Sequence, residues 1–384
     1  MSTHTSAPSS VEPDERVDVE TSEPTAAPSV VDRGLDLIND WYDSGLRWLF
    51  EDKRAMRGAS FARILSGLSV LGILITNFRV RNQMFGPGSV WNKPLQDKQE
   101  YLPPRLTENL DNTAFLVFYL AVIVLAALWT LGWHTRLVGP LMLVGHVAII
   151  ERIPVLGDQG DNILRVGLIL LMLMHTSEHW SLDARRRRRT RARTVGEDGR
   201  KTTVRLRNAW NGHFVLPRWL SNSVHNIAVA MLAFQLILIY ISAGMFKVQG
   251  ELWQHGTALY YPLQLQEYKP FPFLTDLFTH FGVMVGISTY VVVFTQLFFP
   301  LLLILSVATR RIAIALVLLF HLSIAVLMAL PWFSLEMVAF DAIFVSGTTY
   351  LALGAWLKRR GQAVADLWYD VTDPLVDRFR ARAR

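Results

Sequence analysis

The stretch QLILIYISAGMFKVQGELWQHG, residues 235–256, decides the fold. It opens as an apolar helix, breaks at Lys247 and runs on into an amphipathic segment around Trp253. A charged side chain costs about 2.5–3.5 kcal/mol at the centre of a bilayer, so lysines collect where a span meets its surface. A lysine in that position is either a snorkelling anchor or a base whose proton affinity the site has tuned. The two readings lead to different functions.

The same apolar density continues on both sides. Hydrophobic residues make up 51% of the 384 positions and are gathered into long blocks. A helix needs about 20 residues to cross roughly 30 Å of hydrocarbon. About eight blocks qualify, near 60–78, 114–133, 137–151, 162–176, 224–245, 284–306, 312–330 and 335–357. Only helices and closed barrels satisfy their backbone in lipid. The expected fold is therefore an all-α integral membrane protein, a bundle of about eight transmembrane helices with flanking amphipathic interfacial helices.

Charge orients the bundle. Arg47, Lys53, Arg54 and Arg57 precede the first block, Arg136 follows the second, and Arg185 to Arg189 crowd the loop after the fourth. Arg310 and Arg311 follow the sixth block, and Lys358 to Arg360 follow the eighth. With eight spans all of these fall on one side, which the positive-inside rule makes cytoplasmic together with both termini. The expected location is the cell (plasma) membrane, with the lipid bilayer as the first partner. The net charge of +6 comes largely from these clusters. Beside a span they act as orientation and headgroup anchors, so no nucleic-acid partner is expected.

Residues 1–33 are rich in Ser, Thr, Pro, Glu and Asp and read as a disordered tail without the apolar core of a signal peptide. Residues 34–56 repeat apolar side chains at helical spacing, with Trp41, Tyr42 and Trp48 suited to the headgroup layer. Residues 359–384 form a weaker basic amphipathic segment. Long loops at 79–113 and 246–283 can fold over a site mouth. There is no cysteine, which excludes disulfides, thiolate metal sites and palmitoylation. Walker, GxSxG, HExxH and GxGxxG patterns are absent. HTSEH, residues 175–179, spaces two histidines for zinc on a helix but lacks a third ligand, so no metal is assigned.

Polar residues inside the apolar blocks each need a reason. They are His146, Asp161, Asn162, Arg165, His175, Gln235, Gln296, His321, Glu336 and Asp341. Asp161 and Arg165, four apart on one helical face, are expected to pair with each other. His321, alone in LLFHLSIAV, reads as an interhelical hydrogen-bonder before it reads as a catalyst.

Three segments carry a resemblance. HWSLD (His179 to Asp183) resembles a Trp-Ser-aliphatic-Asp span end; Gln235, Tyr240, Ala243, Gly244, Lys247 and Trp253 resemble a span that closes on Ala-Gly and leads to Lys and then Trp. Phe320-His321 and the following LSIAVLMALPWFSLEMVAFDAIF resemble a Phe-His helix and its successor. In this order they resemble the HTTM family, the membrane domain shared by vitamin K-dependent gamma-carboxylases and many bacterial proteins, over residues 57–358. The resemblance implies that Lys247 is the base that deprotonates a reduced quinone, menaquinone or vitamin K-like, with His321 as its catalytic partner. Asn162, Asp161, Tyr240, Gln235 and Trp253 are the implied substrate-binding residues. Where the carboxylases carry an Asn-His pair this chain has Asp161-Asn162, and no propeptide-binding domain follows the last block.

Two functions therefore stand side by side. One is a membrane enzyme acting with Lys247 on a lipid quinol or another apolar substrate. The other is a non-enzymatic membrane helper or binding protein in the export, maturation or immunity of a peptide or lipid. A transporter is disfavoured, since there is no internal repeat and no broken helix pair.

Overall fold

A computed structural model describes residues 30–90, 106–153, 157–196, 217–360 and 362. Residues 1–29 of the expected tail, the loop tip around Trp91, Pro103 and Pro104, and most of segment 359–384 lie outside the described residues, whereas residues 30–33, expected in the tail, open a helix. Of the described residues, those up to Leu46 form one compact unit and those from Arg47 onward a second. Helix α1 (Val30–Phe50) bears exposed Leu35, Ile38 and Trp41.

Apolar side chains face outward as well as inward in the second unit, which suits a lipid-facing surface and would not suit water. Phe234, Phe246, Val283 and Ile304 are all more than half exposed. The helices are α2 (Met56–Thr76), α3 (Asn112–Leu131), α4 (Thr135–Ile150), α5 (Gln159–Leu173) and the basic α6 (Leu182–Gly196). After them come α7 (Arg218–Gln249), α8 (Gly282–Leu305), α9 (Val307–Leu327), α10 (Pro331–Asp341) and α11 (Gly347–Arg360). Short helices, including Pro272–His280, fill the loop between α7 and α8. Among the described residues there is no strand.

Five of these helices, α2, α3, α7, α8 and α9, are long and apolar enough to cross a bilayer, or six if α10 and α11 count as one bent span. The expectation was about eight. The difference lies in α4 and α5, whose 16 and 15 residues rise only about 24 and 22 Å. The last block is not one straight span either. A break after the 3₁₀ turn Ala342–Phe344 turns the chain through 114°. The Ser346 hydroxyl accepts from the Thr349 backbone N–H and so starts a new helix there. The Tyr350 hydroxyl donates to the Ala342 carbonyl, which also accepts from the Val345 backbone N–H.

Helix α2 sits at the centre because its faces are small. Gly58 lies against the backbone of Ala342 and Ile343, and Gly72 lies under the Trp332 ring, so α10 runs antiparallel along it. On another face Gly67 meets Trp129 and Thr130 of α3. At Gly244 the α7 backbone approaches that of α8, where a Cβ would lie 2.9 Å from the Leu297 nitrogen. Basic residues gather at one end of the bundle, where α2 starts, α3 ends and α9 starts, and this end is called the basic side below.

Candidate functional site

Tyr240 of α7, His321 of α9 and Asp341 at the end of α10 meet in the interior, and all three are buried. The Tyr240 hydroxyl donates to Asp341 Oδ2 at 2.7 Å and lies 3.3 Å from His321 Nε2. A phenol has one proton, and Asp341 takes it. The His321 contact is then a hydrogen bond only if Nε2 carries the imidazole proton, which leaves Nδ1 as an acceptor. His321 Nδ1 and Asp341 Oδ1 are both buried without a partner, as is Oε1 of Gln296 on α8. The cluster is therefore short of donors. Phe299 packs on Tyr240 with ring centroids 4.5 Å apart, and Phe333 flanks His321 at 6.0 Å.

Lys247 lies seven residues beyond Tyr240, two turns along α7 on the same face. It is half-buried, its Nζ is 3.4 Å from the Ala243 carbonyl of its own helix, and it stands 5.2 Å from the Trp253 ring. Lys247 and Trp253 thus meet each other, while Tyr240 and His321 meet Asp341. Gln235 is half-buried five residues before Tyr240, which places it on another face of α7.

A third group lies at the far side from the basic end. Asp158 and Asp161 form a reciprocal capping box that starts α5. Asp161 Oδ1 is 3.8 Å from Nε2 of the buried His146, and the buried Glu336 accepts from the Ser69 hydroxyl at 3.1 Å. The expected pairing of Asp161 with Arg165 is not made. Arg165 instead reaches Glu151 at 2.8 Å and Asn162 at 2.5 Å. The cap holds Asp161 toward its own helix start, and the end of α4 delivers Glu151 in its place. A cavity of about 160 Å³ opens here, with Asn77, Asp158, Asp161 and Glu336 among its lining.

Residues 212–348, which hold α7 to α10, match the family model described as HTTM domain. This segment of the chain is similar to the HTTM domain. None of the curated proteins or solved structures compared with it matches. The matched HTTM segment contains Tyr240, Lys247, Trp253, His321 and Asp341, whereas Asp161 and Asn162 precede it.

Ahead of the HTTM match, two buried charges organise the α3–α4 turn, Arg63, which the sequence reading passed over, and Asp183 of HWSLD. Arg63 of α2 is fully buried and donates to four carbonyls, those of Trp129, Thr130, Thr176 and Trp180, at 2.5–3.1 Å. Two of them belong to the last turn of α3, where a helix lacks donors and its dipole favours a cation. Asp183 does the opposite for α4, accepting from the backbone N–H groups of His134 and Thr135 at 2.9 and 3.0 Å. Gly132 between them takes φ +70°, the left-handed turn that ends α3. The HWSLD motif supplies both the Trp180 carbonyl and the Asp183 carboxylate, so its contacts here are structural. The signal in the sequence was a lone arginine, FARIL, inside the first apolar block.

HTSEH lies in turns rather than on a helix, so the zinc spacing is not formed. His175 Nε2 is 3.0 Å from the Ser221 hydroxyl, and the His175 backbone N–H donates to His225 Nδ1 at 2.9 Å. Among the described residues no three His, Asp or Glu side chains converge as a metal site. Two apolar cavities border the HTTM helices. One of about 320 Å³ lies between α8 and α9 beside Phe320, with Ser288 and Ser323 its only hydroxyls. The other, of about 660 Å³, lies at the α10–α11 bend and includes Asp341 in its lining.

Proposed function

We propose that this protein is a membrane enzyme that draws an apolar, lipid-borne substrate from the bilayer and removes a proton from it, with Lys247 as the base. The observation that supports this is the donor shortage at Tyr240, His321 and Asp341, where buried acceptors await a partner that the protein does not supply. Tyr240 and Lys247 share a face of α7, so cluster and amine line one side of a single helix. Lys247 Nζ receives the proton of a substrate hydroxyl while the electron pair stays on that oxygen. The resulting ammonium faces the Trp253 indole, whose ring stabilises a cation. His321 Nδ1 and Asp341 Oδ1 accept hydrogen bonds from the substrate and fix its orientation.

A reduced quinone, such as menaquinone, fits the cluster. One of its hydroxyls donates to the open acceptors of the cluster, the other gives its proton to Lys247, and its ring suits the walls made by Phe299 and Phe333. Such a quinol supplies an acidic hydroxyl and two oxidisable electrons when bound. The expected result is menaquinone co-purifying at near one per chain, identified by mass spectrometry, with oxygen uptake when menaquinol is added. Lys247→Ala and Lys247→Arg should both abolish that uptake with membrane expression intact, because an arginine preserves an anchor but gives no base. Full uptake in Lys247→Ala would remove the enzyme reading.

A second reading, a non-enzymatic helper that binds a peptide or lipid, is favoured by the contacts of Lys247 itself. A carbonyl of its own helix and an indole are what an anchor needs. Under that reading Lys247→Arg keeps full function.

A further inference from the structure

The crevice of about 660 Å³ at the α10–α11 bend shares only Asp341 with the residues of the reaction proposed above. Ile314 and Leu318 of α9, Phe344 at the bend and Leu353 of α11 give it apolar walls, and Arg310 and Arg311 stand in its lining. Asp341, also in the lining, is tied through Tyr240 to His321. His321 lies ten residues beyond Arg311, about 15 Å further along α9. The crevice therefore runs from a pair of guanidinium groups at the basic side into the apolar interior.

Three features select an occupant. Among the described residues neither Arg310 nor Arg311 has a carboxylate within ion-pair distance, so both charges are open to a ligand anion. Ser346, Thr348 and Thr349 add hydroxyls to the same lining. Helix α11 leaves the bend with Leu351, Leu353, Trp356 and Leu357 exposed and ends on Lys358 to Arg360, the pattern of a helix lying at a membrane surface. Apolar walls exclude a free soluble anion, and the arginine pair disfavours a neutral lipid.

We propose that this crevice binds a phosphate-headed anionic lipid from the leaflet on the basic side. Arg310 and Arg311 hold its phosphate, and one acyl chain fills the trough toward Asp341. The site is independent of the role of Lys247.

Native mass spectrometry of the full chain in neutral detergent tests it, with phosphatidylglycerol, phosphatidylcholine or inorganic phosphate added. Phosphatidylglycerol should be retained, and the other two should not. The double variant Arg310→Gln/Arg311→Gln should weaken retention roughly thirty-fold, the worth of two basic side chains at a lipid surface. Arg359→Gln/Arg360→Gln removes the same charge outside the crevice and should leave retention unchanged. Leu318→Trp, which fills the trough and keeps both arginines, should also lower retention, and it decides the matter if the double variant does not fold. Equal retention of the two lipids, equal loss in both double variants, binding of inorganic phosphate as tight as that of the lipid, or unchanged retention in Leu318→Trp would each overturn the proposal.

Discussion

Arg63 and Asp341 are both buried side chains in the membrane-embedded helices, and the protein treats them in opposite ways. Arg63 donates to four carbonyls, and each of its three guanidinium nitrogens has a partner. Asp341 accepts one hydrogen bond, from Tyr240, and its second oxygen has no partner. A buried charge is expensive unless its hydrogen bonds are complete. Saturation at Arg63 marks a strut that joins α2 to the α3–α4 turn. Incompleteness at Asp341 marks a place where something outside the chain is expected to finish the set.

The comparison breaks first at its strongest point. Arg63→Met keeps the apolar stem and removes all four bonds, and it should cost about 3–5 kcal/mol. The expected readout is a sharp fall in folded yield and in melting temperature in detergent. Arg63→Lys should recover little of this, because an ammonium has no planar fork to span carbonyls from three segments. Near-normal melting in Arg63→Met would mean that saturation is no guide to structural weight here.

His175 sharpens the comparison at a middle scale. Burial first, then the charges of Lys53, His225, Arg136 and Arg187, push its imidazole from the usual 6.5 down to about 2. The unfolded chain therefore binds a proton below pH 6.5 that the folded chain refuses. The stabilising contribution is whole above 6.5 and is lost progressively as the pH falls toward the folded value. Between pH 7.5 and 5.5 the loss from this one group is at most about 1.4 kcal/mol. Melting temperatures at those two pH values should differ more in the native chain than in His175→Gln. An unchanged difference would place the acid sensitivity elsewhere.

Much of this was legible in the sequence, for identifiable reasons. The long apolar blocks became helices because nothing else satisfies a backbone in lipid. His321 and Asp341 were readable as polar exceptions within apolar runs, Tyr240 came from the resemblance, and the structure brings the three together. The 114° break was hidden because SGTTY at 346–350 is averaged into an apolar window, although its Ser346 is a helix start. The Asp161–Arg165 pairing failed because spacing sees only neighbours on one helix. Glu151 reaches Arg165 from the preceding helix end, and the capping box keeps Asp161 at its own. Arg63 escaped notice for the same reason, since its four partners come from segments far along the chain.

The smallest expected effect on stability is the most informative. Asp341→Asn can leave an oxygen to accept from Tyr240, so the bond that ties α7 to α10 survives, and the cost should stay below about 1 kcal/mol. The change falls on the other atom, where the acceptor Oδ1 gives way to an amide that donates. A cluster short of donors then gains one, and a substrate that supplies hydroxyls loses its acceptor. Menaquinone retention and oxygen uptake should both fall at least tenfold while melting hardly moves. Arg63→Met should do the reverse, lowering yield while the protein that does fold keeps its ligand. If Asp341→Asn instead unfolds the protein as Arg63→Met does, the open oxygen is part of the scaffold, and the contrast between the two residues disappears.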